Sequence, residues 1–165
     1  MDKNKKKEIL ELLEANARQT PQELAAMLDM EAAAVEETIR EMEQEDLILG
    51  YRTLINWNKI GLDRVTALIE VKVTPQRDVG FDAVADRIAR FPEVRTMRLM
   101  SGTYDLAVEV EGRTMQDVAF FVATRLAPID GVVSTTTHFV LKSYKENGIL
   151  LEGKEETAPR LVVSP

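Results

Sequence analysis

The side chains that most often carry out catalysis or bind metals are scarce in this 165-residue chain. It has no cysteine and a single histidine, His138. A thiolate metal site, a disulfide framework and a cysteine nucleophile are therefore excluded, as is a multi-histidine metal centre within one subunit. A Ser-His-Asp triad could use only His138. We assign no catalytic residue, no metal ligand and no cofactor, and we expect a binding protein rather than an enzyme.

The charge of the chain is predominantly acidic. It carries 21 Lys/Arg and 28 Asp/Glu, a net charge of −7 at pH 7 and a pI of about 4.9. Such a balance argues against non-specific binding to nucleic acid. A phosphate contact, however, depends on charges within roughly 10 Å, so a local basic footprint is compatible with these totals. Because no apolar run approaches the roughly 20 residues that span a bilayer, we expect a cytoplasmic protein without a membrane partner.

The first third of the chain has apolar residues at helical spacing. It predicts three short helices at about 5–16, 21–27 and 31–45. Thr20, Pro21 and Glu23 are typical of a capping box with proline at the first helical position, which opens the second helix. A tight turn at 28–30 precedes the third helix. This pattern predicts a helix-turn-helix.

The segment after the third helix, residues 47–55, reads LILGYRTLI. Residues 47–55 predict a short β-hairpin, which would make the N-terminal domain, residues 1–55, a winged helix-turn-helix. Residues 56–63 are polar and rich in turn formers, and we interpret them as a linker.

Strand-like and helical runs alternate over the second half of the chain. Strands are predicted at 65–73, 94–100, 105–111 and 132–142, and helices at 81–91 and 114–125. The order βαββαβ indicates a ferredoxin-like domain over residues 64–147, and the chain as a whole is α+β. One face of such a sheet lacks helices, and we expect self-association to cover it. Residues 148–165 are a C-terminal tail, expected to be mobile beyond about Glu152.

These elements and several motifs resemble the Lrp/AsnC, or feast/famine, family of transcriptional regulators. The turn from Gly102 to Asp105 is similar to the family's G-x-x-D, and residues 135–137 are similar to its T-x-T. Residues 28–51 resemble the family's helix-turn-helix pattern, carried here by Leu28, Val35, Ile39, Glu43, Ile48, Gly50 and Tyr51. The resemblance spans about residues 3–150.

The resemblance implies a regulator whose winged helix binds double-stranded DNA. Its ferredoxin-like domain, known in the family as the RAM domain, would bind a small effector, usually an amino acid, and would form homodimers that assemble into larger rings, often octamers. The implied effector contacts lie at a subunit interface, in the turn between the middle strands and in the last strand. They are Ser101, Gly102, Tyr104, Asp105, Thr135 and Thr137.

The chemistry of these effector residues suits an amino acid. Asp105 would accept hydrogen bonds from the ammonium group, while threonine hydroxyls and backbone amides near Gly102 would meet the carboxylate. Residues 102–105, Gly-Thr-Tyr-Asp, also make a good hairpin turn, so a purely structural role is the alternative for this part of the set.

The third helix, the implied recognition helix, is poor in cations. Residues 1–60 contain eight Lys/Arg and thirteen Asp/Glu. Glu31, Thr38 and Asp46 stand where the family usually has serine, arginine and glycine. Lysines of the first helix and an arginine of the wing would contact phosphates, and small side chains would touch thymine methyls. The candidate DNA-binding residues are Lys5, Lys6, Lys7, Ala32, Ala33, Thr38 and Arg52.

Three alternatives stay open. The lysine run can equally be a solvated helix start. The acidic third helix also fits a sensor or assembly partner that keeps the effector domain and has weakened or lost DNA binding. A less favoured alternative is an enzyme similar to the tetrapyrrole (sirohaem-type) decarboxylases, which share this architecture but rely on histidines, of which this chain has one.

Overall fold

The structure, a computed structural model, describes residues 2–61, 64–75 and 80–151. The predicted mobile end of the tail lies outside these residues. Contacts between residues divide the chain at Ile55/Asn56 into two compact units, an N-terminal unit and a C-terminal unit. Among the described residues, no helix is both long enough and apolar enough to cross a membrane.

The N-terminal unit is a bundle of three helices, and the predicted helix-turn-helix is confirmed. The helices are α1 (Lys3–Ala15), α2 (Pro21–Leu28) and α3 (Ala32–Gln44). Their inward faces form one apolar core of Ile9, Leu13, Leu24, Ala25, Val35 and Met42.

Local hydrogen bonds fix both ends of α2. The Thr20 hydroxyl oxygen accepts a bond of 3.2 Å from the Glu23 backbone N–H, and the Glu23 carboxylate accepts one of 2.7 Å from the Thr20 N–H. This is the predicted capping box, which satisfies amides that the first helical turn leaves unpaired. At the other end Asp29 adopts a left-handed conformation with φ of 51°, and its N–H returns to the carbonyl of Ala25. The turn between α2 and α3 is therefore tightly defined.

The predicted wing hairpin is not formed. Among residues 2–61 there is no β-strand, and residues 49–56 form no regular element. The backbone N–H groups of Leu47 and Ile48 donate instead to the carbonyl of Met42, at 2.9 and 3.0 Å, and so close the C-terminal end of α3. These two residues are thereby held in the turn that ends α3, and an isolated two-stranded hairpin over the rest would be marginally stable at best in water.

The C-terminal unit has the predicted ferredoxin-like order of elements. They are β1 (Val65–Val73), α4 (Asp82–Ala89), β2 (Val94–Leu99), β3 (Leu106–Gly112), α5 (Met115–Phe121) and β4 (Val132–Phe139). The strands form one antiparallel sheet in the order β2-β3-β1-β4. A 3₁₀ turn, Trp57–Ile60, precedes β1, and a π-helical turn, Val122–Leu126, extends α5.

The two faces of the sheet differ in burial. Ala67, Ile69 and Val71 of β1 are fully buried against side chains of α4 and α5. The alternate residues of β1 point to the opposite face, which carries no helix, and cross-strand partners share a face. We call this second surface the bare face. On β1 and β4 it consists of Leu68, Glu70, Lys72, Ser134, Thr136 and His138.

A small hairpin follows the sheet. Its strands are β5 (Lys145–Glu146) and β6 (Ile149–Leu150), joined by Asn147 and Gly148 with φ of 44° and 83°. Two positive φ values in succession characterise a type I′ turn, for which Asn-Gly is the favoured sequence. The side-chain amide of Asn56 donates to the carbonyl of Leu151 at 2.8 Å. This hairpin was not predicted from the sequence, and its second strand lies in the predicted C-terminal tail.

Candidate functional sites

Lys6 joins α1 to α3. Its ammonium lies 3.5 Å from a carboxylate oxygen of Glu41 and 3.6 Å from one of Glu45. The Lys6 side chain is only 23% exposed. This lysine, predicted to contact phosphate, therefore holds two helices of its own unit together.

The neighbouring lysines also contact the protein itself. Lys5 donates to the carbonyl of Leu28 at 3.2 Å, where a cation complements the C-terminal end of α2, and it lies 3.3 Å from Glu8. Lys7 lies 3.3 Å from Glu11, one turn further along α1. A phosphate would have to compete with these carboxylates, so the lysine run is a weaker basic footprint than the sequence indicated.

Thr38 is buried, and its predicted contact with a thymine methyl is wrong. The side chain is 4% exposed, and its hydroxyl donates to the carbonyl of Ala34 at 2.7 Å. Ile39, which the helical spacing placed in the core, is only half-buried. Because both positions lie near the inward stripe of α3, the apolar pattern alone could not decide between them.

The exposed side of α3 carries one cation, Arg40, that was not among the predicted DNA-binding residues. Ala33 is exposed, as its predicted role requires, whereas Ala32 is half-buried against the core. Arg40 donates to Glu37 at 2.6 Å and lies 3.5 Å from Glu36. The sequence could have indicated these pairs, because Glu37 and Glu36 lie three and four residues before Arg40, a spacing that brings side chains together on a helix.

Arg52 is exposed at the edge of a groove. The groove has a volume of about 600 Å³ and lies between α1 and residues 47–52. Among residues 2–61, 64–75 and 80–151, no hydrogen-bond or ion-pair partner is found for the side chains of Arg52, Arg18 or Lys3. These three cations are the ones best placed to meet phosphates, in a unit with seven Lys/Arg and thirteen Asp/Glu over residues 1–55.

In the C-terminal unit, Asp105 fixes the turn between β2 and β3. Its carboxylate accepts a hydrogen bond of 2.9 Å from the N–H of Val73. Its own N–H donates to the carbonyl of Val71 at 3.1 Å, and its carbonyl accepts from the N–H of Met100 at 2.8 Å. The residue predicted to hold an ammonium group therefore already has a structural role at the end of β1.

The rest of this turn is open to solvent. Ser101 and Gly102 are exposed and Tyr104 is half-buried. Gly102 has a φ of 144°, and a Cβ atom added there would meet nothing within 4 Å. The backbone at Gly102 is thus accessible to a ligand, in a conformation that side chains rarely adopt.

The two threonines of the predicted effector site lie on the edge strand β4. Thr135 is paired with Val71 and Thr137 with Ile69, so both point to the helix-covered side of the sheet and are half-buried. Asp105 and Thr135 flank Val71 from its two sides, at the same end of the sheet. Thr137 lies two residues further along the strand. The structure therefore brings most of the predicted set to one end of the sheet.

Other sites in the C-terminal unit do not involve these residues. A pocket of about 80 Å³ is lined by Glu93, Asp117 and Phe121, among others, and by none of the predicted effector residues. In the part of the chain that the structure describes, no group of three or more acidic or histidine side chains is placed to hold a metal ion.

Comparison with known families assigns both units. Residues 2–48 match the family model for winged helix-turn-helix DNA-binding, and residues 66–150 match that for the Lrp/AsnC ligand binding domain. The chain belongs to the Lrp/AsnC family. It is therefore a helix-turn-helix transcriptional regulator with a ligand-binding domain, as the sequence indicated.

Relatives of this Lrp/AsnC chain match over nearly its whole length. It is 48% identical over 162 residues to the HTH-type transcriptional regulator YugG of Bacillus subtilis strain 168, covering 98% of this chain and 97% of that protein. It is 29% identical to the regulator LrpA of Pyrococcus horikoshii, covering 83% and 94%. The solved complex of the Neisseria meningitidis transcriptional regulator NMB0573 with L-Met has a TM-score of 0.69 at 24% identity, covering 88% and 93%. That last likeness concerns the fold.

Proposed function

We propose that this Lrp/AsnC regulator binds double-stranded DNA as a homodimer and changes that binding when an amino acid occupies its C-terminal unit. The observation that carries the proposal is the presence, in one chain, of a helix-turn-helix with an exposed α3 and an Lrp/AsnC ligand-binding domain. We further propose that it acts in the cytoplasm, without enzymatic activity and without a cofactor.

The charges of the N-terminal unit favour DNA binding that depends on few phosphate contacts. Lys3, Arg18 and Arg52 lack ion-pair partners among the described residues, whereas Lys5, Lys6 and Lys7 each lie against a glutamate. Each neutralised phosphate releases counterions, and a homodimer doubles the number of contacts. We therefore expect measurable affinity at low salt with a shallow salt dependence.

The turn around Asp105 supports an amino-acid effector. One carboxylate oxygen of Asp105 accepts from Val73, and the other makes no hydrogen bond within the described residues. That second oxygen can accept from an ammonium group while the turn stays intact. The open backbone at Gly102 and the hydroxyls of Thr135 and Thr137 offer donors for a carboxylate.

The bare face supports a homodimer. It contains Leu68, which is 37% exposed, beside polar side chains such as Glu70, Thr136 and His138. A sheet with one uncovered face gains stability when a second copy removes that face from water. Larger rings, octamers included, belong to this proposal as assemblies of such dimers.

Thermal denaturation with single amino acids tests the effector proposal. A ligand that binds only the folded protein raises the melting temperature as its concentration rises above the dissociation constant. We expect one amino acid, or a small related group, to do so, and T135V/T137V to lose the shift. T124V is the matched control, because Thr124 lies on the π-helical turn after α5 and belongs neither to the predicted effector set nor to the bare face. If none of the common amino acids shifts the melting temperature, the effector proposal fails.

A second candidate is a sensor or assembly partner without DNA binding. The pairing of Lys5, Lys6 and Lys7 with glutamates, and the excess of acidic residues in the N-terminal unit, favour it. A filter-binding assay with genomic fragments at about 50 mM salt separates the two. Retention of specific fragments supports the regulator that binds DNA, and complete failure of retention supports the sensor.

A further inference from the structure

The outward stripe of α3 consists of four residues opposite the core. Successive residues of an α-helix are rotated by about 100°, so positions 33, 37, 40 and 44 lie on the side away from Val35 and Met42. These four residues, Ala33, Glu37, Arg40 and Gln44, are all exposed. Arg40 is the only cation among the thirteen residues of α3, beside four glutamates.

Two glutamates hold the Arg40 guanidinium in place. One terminal nitrogen of Arg40 donates to Glu37 at 2.6 Å, and the other lies 3.5 Å from Glu36. Both glutamates precede Arg40, so the guanidinium is drawn toward the N-terminal half of α3. In a helix-turn-helix, it is the N-terminal part of the recognition helix that contacts base edges.

The guanidinium keeps donors for a ligand. A guanidinium carries five N–H groups, and the bonds to Glu36 and Glu37 use two of them. The guanidinium is planar, its side chain is 52% exposed, and its remaining donors suit a bidentate contact with guanine O6 and N7. The flanking carboxylates repel phosphates, but at the floor of the major groove they can accept from cytosine N4.

We propose that Arg40 is the specificity-determining residue of α3 and reads guanine in the major groove, with Glu37 as the residue that positions its guanidinium. The inference rests on DNA binding by the N-terminal unit, as proposed above. It predicts that the preferred DNA sites contain a G·C pair at one fixed position in each half-site.

Selection from a pool of randomised 30-base-pair duplexes at about 50 mM salt tests the proposal. Wild-type protein should enrich a motif with that G·C pair. R40A should lose the preference at this position and bind the wild-type motif about 5- to 150-fold more weakly, the range expected for one bidentate pair. R40K keeps the charge but lacks the planar guanidinium that makes a bidentate contact, so it should lose the preference as well. E37Q should weaken it while raising affinity for unrelated duplexes, because one negative charge is removed.

Arg95 provides the matched control. Its side chain is 52% exposed, like that of Arg40, and it pairs with Glu111 in the C-terminal unit. R95A should keep the motif. Circular dichroism of each variant establishes that α3 is intact, and R40K keeps the test valid if R40A unfolds.

Three outcomes overturn the inference. If R40A and R40K retain the wild-type motif, Arg40 does not read a base. If both variants lose affinity equally for all duplexes, with R40A lowering the salt slope, Arg40 contacts phosphate. If wild-type protein enriches no sequence, the proposed DNA recognition fails together with the role of Arg40.

Discussion

The Asp105 carboxylate accepts a 2.9 Å hydrogen bond from the backbone N–H of Val73, at the point where the pairing of β1 with β4 shifts register. That N–H faces β3, but the regular pairing of β1 with β3 ends at Val71 and Leu106, so it would otherwise lack a ladder partner. Asp105 therefore completes the hydrogen bonding of the sheet at the end where the effector is proposed to bind.

Two substitutions separate the structural role of Asp105 from the effector role. D105A leaves the Val73 N–H without its acceptor and should lower the free energy of unfolding by about 1–3 kcal/mol. D105N keeps an oxygen acceptor and should cost less, but it removes the charge that an ammonium group needs. We expect D105N to fold nearly as stably as wild type and to lose the amino-acid response, as measured by urea denaturation with and without ligand. An unchanged response in D105N would remove Asp105 from the effector site.

Lys6 should matter for stability rather than for DNA. K6A removes the ion pairs of Lys6 with Glu41 and Glu45 and should lower the free energy of unfolding by about 1 kcal/mol. K7A, which removes one exposed pair with Glu11, should cost about 0.3 kcal/mol and is the matched control. Urea denaturation of the two variants checks the difference. Equal stability of K6A and wild type would contradict the role of Lys6 between the helices.

Arg52 should determine the salt dependence of DNA binding. Because its side chain makes no ion pair within the described residues, R52A should reduce the slope of log K against log salt by about 0.9 for each phosphate it contacts. The matched variant K6A should leave the slope nearly unchanged, since Lys6 neutralises Glu41 and Glu45 instead. Fluorescence anisotropy at 50–200 mM salt measures both slopes. If K6A reduces the slope and R52A does not, the phosphate contacts come from the lysines of α1 and not from Arg52.

The phenol of Tyr51 should titrate above its ordinary range. Its hydroxyl donates to the Glu43 carboxylate at 2.8 Å. Burial, and then the hydrogen bond and negative charge of Glu43, raise the pKa of Tyr51 above 10.0. A pKa raised on folding gives stability that is present below about pH 10 and is lost as the pH rises through the folded-state value.

E43Q tests this coupling. It removes the charge and should lower the pKa of Tyr51 toward its ordinary value, leaving the part of the shift that burial causes. Phenolate absorbance during alkaline titration measures the change, with E31Q as the control on the same helix region. Superimposable titrations of wild type and E43Q would contradict the coupling between residue 51 and α3.

Periodicity predicted the regular part of the fold because each element buries one face. The alternation over Val65–Val73 and the capping box at Thr20 and Glu23 both have a local physical cause, and both elements form. Residues 47–55, LILGYRTLI, predicted a hairpin that does not form, since a local sequence cannot show whether a partner strand pairs with it. Asp46 adopts a φ of 55°, a left-handed conformation that favours glycine, which is the residue that the resemblance implied at this position.

The candidate sites were predicted less well from the sequence than the fold was. The sequence shows three lysines, Lys5, Lys6 and Lys7, but not the glutamates with which they pair. Those glutamates lie on another turn of α1 or on another helix. Thr38 was expected outside and lies inside, because its hydroxyl is satisfied by the helix backbone and can be buried. The Asn147-Gly148 signal was present in the sequence and was missed because the segment was interpreted as tail.

Binding of genomic DNA, with and without amino acids, tests the central claim most directly. Purified protein is mixed with sheared genomic DNA of its own organism at about 50 and 200 mM salt, and the retained fragments are sequenced. The account predicts a small set of enriched fragments, weaker retention at the higher salt, and a change in retention when a pool of amino acids is added. Uniform or absent retention at both salt concentrations, unaffected by the pool, would contradict it.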